Sequence, residues 1–160
     1  MASLILRLDI GDTIIDRSTR ILREQLGLEV ITAENMLYKL ADVGANETVV
    51  INGHGCPTSL GNLSVSQLAA LLAKGGLRGP VNIVLIACET GWGGAPYALE
   101  LKVALVQSHK IMCSVSAPTR FVGVQDNASL YVGELDAGGN FAAGGQTPAN
   151  KALFSTTKAF

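Results

Sequence analysis

A histidine and a cysteine each follow an apolar run at a similar distance, and this pair is the chemistry that the sequence offers most directly. His54 follows Val-Val-Ile-Asn-Gly, and Cys88 follows Val-Leu-Ile-Ala. A thiol becomes a nucleophile near neutral pH when a base takes its proton, and imidazole is the usual base. Gly55 has no side chain to obstruct a bound carbonyl, so its N–H could face a developing oxyanion. The pattern predicts a His–Cys dyad if the two apolar runs are neighbouring strands.

The hydrophobic pattern predicts the parallel sheet that such a dyad needs. Strands alternate with helices along the chain, which is typical of βαβ units covered on both faces. We therefore predict an α/β fold, a three-layer αβα sandwich with a mostly parallel sheet and an antiparallel hairpin near one edge. In such sheets, ligands bind beyond the carboxyl ends of the strands. The predicted strands are 4–10, 29–31, 48–52, 81–87 and 111–115, and the predicted hairpin pairs 121–124 with 130–135.

Capping residues predict where the helices begin. Ser18 is expected to cap a short helix over 19–26, and Thr32 a helix that places Met36 and Leu40 on one face. Residues 64–67 have the capping-box form, with Ser64 at the N-cap. A fourth helix is expected over 96–107, after a Gly-rich turn.

Composition excludes several classes of function. Hydrophobic residues make up 48% and charged residues 16% of the 160 residues, so disorder is excluded for most of the chain. A net charge of −1 gives no basic excess for nucleic-acid binding. The longest apolar run is far too short to span a bilayer, so no membrane partner is expected.

Cysteine usage and the first residues point to a compartment. Three cysteines do not form a disulfide framework, which favours a reducing environment. The first residues lack the pattern of a signal peptide. We expect a cytoplasmic location, or delivery into another cell without a cleavable signal peptide.

The two blocks that carry His54 and Cys88 resemble the motif blocks of the caspase-like (clan CD) cysteine peptidases. In that family an apolar strand ends in His-Gly and another ends in Ala-Cys, as in residues 48–55 and 81–91. The stretch Ala-Cys-Glu-Thr-Gly-Trp-Gly, residues 87–93, is especially similar to CHAT domains. The protease domains of bacterial toxins share the arrangement. The resemblance covers about residues 45–120.

The resemblance implies a cysteine endopeptidase with a caspase-like fold. His54 would be the catalytic base and acid, and Cys88 the nucleophile that forms a thioester acyl-enzyme. The backbone N–H groups of Gly55 and Cys88 would hold the oxyanion. The substrate would be a protein or peptide, and no cofactor or metal is implied. A bacterial effector, a toxin-processing protease or a defence protease would fit this chemistry.

The resemblance also implies where substrate side chains bind, with alternatives left open. The segment after the strand that follows the nucleophile carries Ser116, Thr119 and Arg120, and Arg120 could receive an acidic residue. Asp12, beyond the first strand, with Asp9, would instead favour a basic residue. Trp92, in the turn after Cys88, is a further candidate that could wall the site. Packing of its side chain on the adjacent helix is an equal alternative.

The chain departs from the family at several points. Ile86 stands where caspases have glutamine, so their pocket for an acidic residue is not reproduced. The helical repeats that usually precede CHAT domains are not present. We divide the chain into a caspase-like domain, 1–135, and a Gly-rich segment, 136–160, that forms a flap or a tail.

Other readings of the same residues stay open. A catalytically silent member of the fold would act as a protein-interaction module. A different α/β amidohydrolase or acyltransferase would need glycine on both sides of the cysteine, which residues 86–87 do not supply. A zinc pair of His54 with Cys56 is weak without a second pair, so Cys56 is expected in a loop and Cys113 in the core. The edge of the predicted hairpin leaves a homodimer open.

Overall fold

A central, mostly parallel sheet organises the chain, as predicted. The computed structural model describes residues 2–93, 96–118, 120–124, 126, 130–135, 141–148 and 154–156. The strands are β1 (Ala2–Arg7), β2 (Glu29–Thr32), β3 (Thr48–Asn52), β4 (Gly55–Cys56), β5 (Ser59–Leu60), β6 (Val81–Ile86), β7 (Cys113–Pro118), β8 (Phe121–Val124), β9 (Leu130–Leu135), β10 (Phe141–Pro148) and β11 (Phe154–Thr156). The helices are α1 (Thr13–Leu26), α2 (Val65–Lys74) and α3 (Tyr97–His109).

The strands of the main sheet follow the order β11-β7-β6-β3-β1-β2. The five strands from β7 to β2 pair in parallel, and β11 pairs antiparallel with β7 at one edge. The strand order reverses between β1 and β3, because the chain first adds β2 on one side and later adds β6 and β7 on the other. Such a reversal opens a crevice at the carboxyl ends of the strands.

Alternating side chains divide the core between the two faces of the sheet. Leu4, Leu6 and Ile51 point to the face that α2 and α3 cover, where they join the larger buried cluster. Ile5 and Val50, their neighbours along the strands, point to the other face and pack with Leu22 and Leu28 at α1 and its end. Both faces are therefore covered, as expected for buried parallel strands.

The first helix begins at Thr13, so the prediction that Ser18 caps a helix over 19–26 is wrong. Asp12 is the N-cap, and its side chain accepts hydrogen bonds from the N–H groups of Ile14 and Ile15, both at 3.0 Å. The hydroxyl of Ser18 instead donates to the Ile15 carbonyl inside the helix. The carboxylate of Asp12 satisfies N–H groups that would otherwise lack partners, and this sets the earlier start.

The prediction of a helix after Thr32 is also wrong, because this segment forms turns and a short 3₁₀ helix, Lys39–Asp42. The side chain of Asn35 accepts a hydrogen bond from the N–H of Thr32 at 2.7 Å, which closes a turn. Tyr38 has a φ of 62°, which an α-helix does not admit. Met36 and Leu40 are nevertheless buried against the face that α2 and α3 cover.

The other elements agree more closely with the pattern. The capping box at Ser64 is confirmed at the start of α2, and α3 begins directly after Pro96. Strand β6 forms as predicted, whereas β7 begins at Cys113, two residues later than expected. Among the described residues, no helix is both long enough and apolar enough to cross a bilayer.

The predicted hairpin forms, but it does not lie at an edge of the main sheet. Strands β8 and β9 pair antiparallel and, with β10, make a separate three-stranded sheet. Val122 and Val124 of β8 pack against the same cluster as α1. This small sheet therefore covers part of the α1 face near the carboxyl end of β6. In the segment 136–160, β10 pairs with β9, and β11 pairs with β7.

A buried amide at the end of β3 holds α1 on the sheet. The side-chain nitrogen of Asn52 donates to the hydroxyl oxygens of Ser18 at 2.8 Å and Thr19 at 2.9 Å. All three residues are buried, and Asn52 is only 1% exposed. A buried polar group that loses its partner costs much more than an exposed one, so these bonds specify how α1 docks.

We expect Asn52→Ala to lower the free energy of unfolding by about 1–3 kcal/mol, because the two hydroxyls lose their buried partner. The exposed Gln25→Ala in α1 is the matched control, with an expected loss of about 0.5 kcal/mol or less. Urea denaturation followed by circular dichroism measures both. An Asn52→Ala loss no larger than that of Gln25→Ala would contradict the role given to this amide.

Candidate active site

The register of β3 and β6 brings His54 and Cys88 to the same edge of the sheet. The two strands are parallel neighbours, with Asn52 opposite Ile86. His54 and Cys88 each follow that last pair by two residues. The N–H of Gly53 donates to the Ile86 carbonyl at 3.3 Å and continues the pairing one step further. The condition placed on the predicted dyad, that its strands be neighbours, is therefore met.

Both residues line one cleft with a volume of about 720 Å³. The cleft lies at the carboxyl edge of the sheet, between α1 and β8. Its walls are mostly apolar, as small-molecule and peptide clefts usually are. Its lining residues are Thr13, Ile14, Ile15, Arg17, Ser18, Asn52, Gly53, His54, Ile86, Cys88, Phe121, Val122, Gly123 and Val124.

Two aspartates beyond β1 hold His54. The Nε2 atom of the ring lies 2.9 Å from Oδ2 of Asp12. The backbone N–H of His54 donates to Oδ2 of Asp9 at 2.7 Å. The N–H of Ile15 and, after it, the His54 ring lower the pKa of Asp12 below its usual value, so its carboxylate is charged at neutral pH. That carboxylate accepts a hydrogen bond from Nε2–H and leaves Nδ1 as the basic nitrogen.

Cys88 is held by the backbone of β8. The N–H of Val122 donates to the sulfur at 3.5 Å, and the thiol faces the Val122 carbonyl at 4.0 Å. Burial raises the pKa of the Cys88 thiol, and the Val122 N–H opposes this only in part. The thiol is therefore neutral in the resting protein, and a nucleophilic role would require a base.

Gly55 approaches the backbone on both sides of the Ala87–Cys88 bond. A Cβ atom at this position would lie 2.7 Å from the Cys88 carbonyl oxygen and 2.8 Å from the Ala87 Cβ. Any side chain at position 55 would push the two segments apart. This is a structural reason for a glycine here, in addition to the oxyanion role expected from the sequence. The N–H of Gly61 donates to the His54 carbonyl at 2.8 Å, and the N–H of Leu60 donates to the Leu63 carbonyl at 3.0 Å. Leu60 is the β5 partner of Gly55.

A buried threonine fixes the turn after Cys88. The hydroxyl of Thr90, which is fully buried, donates to the Ala87 carbonyl at 2.8 Å. The Thr90 carbonyl accepts from the N–H of Ala98 at the start of α3, at 2.9 Å. These bonds tie the cysteine turn to α3. Thr90 was not among the residues predicted for the site, although its place in the Ala-Cys-Glu-Thr-Gly motif could have indicated it.

Asn52 and Arg17 were missed as well. Asn52 ends an otherwise apolar strand, and an amide at such a position is a detectable signal for a buried hydrogen-bond partner. Arg17 lies within a segment that was not predicted to be helical, so nothing in the sequence placed it at the cleft.

The structure places the secondary candidates in different surroundings. Ser116 is half-buried in β7, and Thr119 lies outside the described residues. A guanidinium nitrogen of Arg120 lies 4.0 Å from a carboxylate oxygen of Glu89. Trp92 is 49% exposed. None of the three described residues, Ser116, Arg120 and Trp92, lines the cleft. Asp12 contacts His54 instead of standing alone as a binding group.

The three cysteines differ in their thiol chemistry. Hydroxyls of Ser59 at 3.1 Å and Thr58 at 3.5 Å lower the pKa of Cys56 to about 7. Burial raises the pKa of Cys113 to about 11. Cys56 was expected in a loop and lies in the short strand β4. Among the described residues, no cluster of three or more potential metal ligands forms around these thiols or elsewhere.

Fold and cleft together define a doubly wound α/β protein with a histidine and a cysteine at the carboxyl edge of its sheet. The model of a family described as a domain of unknown function, DUF8616, matches residues 23–132. This match spans more than half of the chain and includes both His54 and Cys88, so the chain belongs to that family. No curated protein matches the chain.

Two solved structures of aromatic-amino-acid aminotransferases show a weak likeness. One, from Burkholderia pseudomallei and covalently bound to pyridoxal phosphate, is 19% identical with a TM-score of 0.35. The other, from Burkholderia cenocepacia J2315, is 16% identical with a TM-score of 0.36. Each alignment covers 72% of this chain and 31% of the aminotransferase, so the chain spans about a third of their length. A likeness this low does not bear on the function of the cleft.

We expect iodoacetamide to alkylate Cys56 before Cys88 and Cys113 at pH 7.5. The pKa of Cys56 is lowered to about 7, so this thiol is mostly thiolate at that pH, whereas burial raises the pKa values of the other two. The Cys56 rate should rise with pH through about 7. Peptide mass spectrometry over a time course measures each site, and Cys56→Ser is the control. Faster alkylation of Cys88 would contradict the assigned thiol states.

Proposed function

We propose that this protein is a caspase-like cysteine endopeptidase that cleaves peptide bonds with His54 and Cys88. The observation that carries the proposal is that both residues line one cleft at the carboxyl edge of two adjacent strands. The orientation of His54 by the charged carboxylate of Asp12 supports it further. The resemblance of the two motif blocks to clan CD peptidases points to the same reaction.

The proposed reaction begins with the neutral thiol. As a substrate carbonyl enters, Nδ1 of His54 takes the proton of Cys88 and the sulfur attacks the carbonyl carbon. The tetrahedral intermediate then expels the amine, which receives that proton from His54. The resulting thioester is hydrolysed when His54 takes a proton from water, the hydroxide attacks, and the thiol leaves with the proton restored.

Backbone N–H groups of Gly55 and Cys88 are the proposed oxyanion donors. Gly55 lies against the carbonyl of Cys88, so its backbone is next to the proposed nucleophile. Its β5 partner Leu60 donates to Leu63, a pattern in which Gly55 and Leu60 do not exchange hydrogen bonds. The Gly55 N–H is thus available to the substrate as far as that pairing is concerned. Fixed backbone donors of this kind stabilise charge that develops in the transition state.

A silent interaction module is the second candidate. The raised pKa of Cys88 and the two contacts of its sulfur with Val122 favour it, because they describe a thiol at rest in a backbone pocket. In that case the cleft would bind a protein segment without cleaving it. Reaction with a peptide electrophile separates the two candidates, because only the peptidase activates the sulfur.

Peptide acyloxymethyl ketones test the proposal directly. Among probes with acidic, basic or leucine side chains before the reactive ketone, we expect at least one to form an adduct at Cys88, detected by mass spectrometry. Cys88→Ala should abolish the adduct, and Cys56→Ala should leave it unchanged. His54→Ala should slow labelling by about 10²-fold or more, because the base is lost. A wild-type protein that no probe labels at Cys88, or labels only at Cys56, would favour the silent module.

Asp12 offers a test of the orientation of His54. Asp12→Asn keeps an N-cap for α1, but its neutral amide cannot stabilise the protonated ring, so we expect Cys88 labelling to slow by about 10²-fold. The melting temperature should change little. Asp12→Ser is the matched control for the cap, because it keeps a capping hydroxyl and lacks the reach to His54. Wild-type labelling rates in both variants would exclude a positioning role for the carboxylate.

A further inference from the structure

A buried hydroxyl holds the peptide group that carries the N–H of Cys88. The hydroxyl of Thr90 donates to the Ala87 carbonyl at 2.8 Å, and Thr90 is fully buried. The Ala87–Cys88 peptide bond is trans, so its carbonyl and its N–H point in opposite directions. The hydrogen bond that keeps the Ala87 carbonyl on the buried side therefore directs the N–H of Cys88 to the other side.

The N–H of Cys88 lies on the same side of the chain as the sulfur. Burial raises the pKa of the Cys88 thiol, and the N–H groups of Val122 and of Cys88 itself oppose this rise in part. The N–H of the next residue, Glu89, donates to the Arg120 carbonyl at 2.9 Å. The N–H of Cys88, in contrast, donates to no backbone carbonyl among the residues that the structure describes. It is therefore available to a group bound at the sulfur.

Thr90 is itself fixed through its backbone. Its carbonyl accepts a hydrogen bond from the N–H of Ala98, in the first turn of α3, at 2.9 Å. Pro96 at the N-cap of α3 makes no side-chain hydrogen bond, so the Thr90 carbonyl supplies an acceptor that the helix N-terminus needs. Glu89 has a φ of 57°, which a residue other than glycine keeps only where its surroundings hold it. The shape of the turn is thus set before any substrate binds.

We infer that Thr90 is a positioning residue whose hydroxyl orients the N–H of Cys88 toward the substrate oxyanion. This inference rests on the proposed peptidase function and adds a residue to it. Thr90 is fully buried, so it would act on the substrate only through Cys88. Without the hydroxyl, the peptide group after Ala87 could rotate and turn its N–H away. Oxyanion donors stabilise the transition state only when they are fixed in the right direction.

Two pairs of proteins isolate the hydroxyl at nearly constant shape. Thr90→Val differs from the wild type by a methyl group in place of the hydroxyl, and Thr90→Ala differs from Thr90→Ser only by the absence of the hydroxyl. All four are compared in a Cys56→Ser background, so that the more acidic thiol does not consume the reagents. Circular dichroism verifies folding. If Thr90→Val does not fold, the serine and alanine variants still make the comparison.

Two reagents separate positioning from general damage to the site. A peptide aldehyde adds to the thiol and forms a tetrahedral oxygen, whereas iodoacetamide alkylates the sulfur without forming one. We expect each variant without the hydroxyl to bind the aldehyde about tenfold or more weakly than its partner, measured by competition with acyloxymethyl ketone labelling. Alkylation of Cys88 by iodoacetamide should change by less than about twofold, because the state and access of the thiol are retained.

The possible outcomes distinguish this inference from the proposed function. Equal aldehyde affinity within each pair would overturn the role of Thr90 and leave the peptidase standing. Parallel losses of aldehyde binding and iodoacetamide alkylation would also overturn that role, because they indicate a damaged site. A wild-type protein whose Cys88 reacts with neither the ketones nor the aldehyde would overturn the peptidase and, with it, the oxyanion role of Thr90.

Discussion

The contact between Gly55 and the backbone of Ala87 and Cys88 is the constraint on which the site depends. It exists because β3 and β6 are parallel neighbours in a register that ends with Asn52 opposite Ile86. The two chain segments leave the sheet side by side, and only a residue without Cβ lets them stay in contact. The cleft opens where the strand order reverses, so the same topology that joins the two residues also provides room for a ligand.

The electrostatic state of the site at rest is asymmetric. The imidazole is oriented by a charged carboxylate, whereas the thiol of Cys88 is half-buried, neutral and held by the Val122 backbone. The more acidic thiol belongs to Cys56, which owes its lowered pKa to neighbouring hydroxyls. A low thiol pKa therefore does not identify the proposed nucleophile here. The proposal instead rests on the position of Cys88 at the carboxyl edge of the sheet, in the same cleft as His54.

The first two turns of α1 connect fold and site. Asp12 caps the helix and holds His54, Ser18 and Thr19 bind the buried amide of Asn52, and Arg17 faces the cleft. The docking of α1 on the sheet and the shape of the cleft are thus set by adjacent residues. The hydrogen bonds of the Asn52 side chain are buried, whereas the ion pair of Arg17 with Asp126 is exposed. This region therefore combines a firm attachment to the sheet with a positive charge that a ligand could bind.

By itself, the sequence determined the alternation of strands and helices, the buried β6 and the positions of His54 and Cys88 after their strands. Those features depend on local periodicity and on residues that end a strand, which a linear pattern records. The start of α1, the turns around Tyr38 and the place of the hairpin over the α1 face were decided only by tertiary structure. Each depends on partners distant in sequence or on a side chain that competes for backbone hydrogen bonds. The environments of Asn52, Arg17 and Thr90 have the same origin, because burial and charge at a site are properties of packed neighbours.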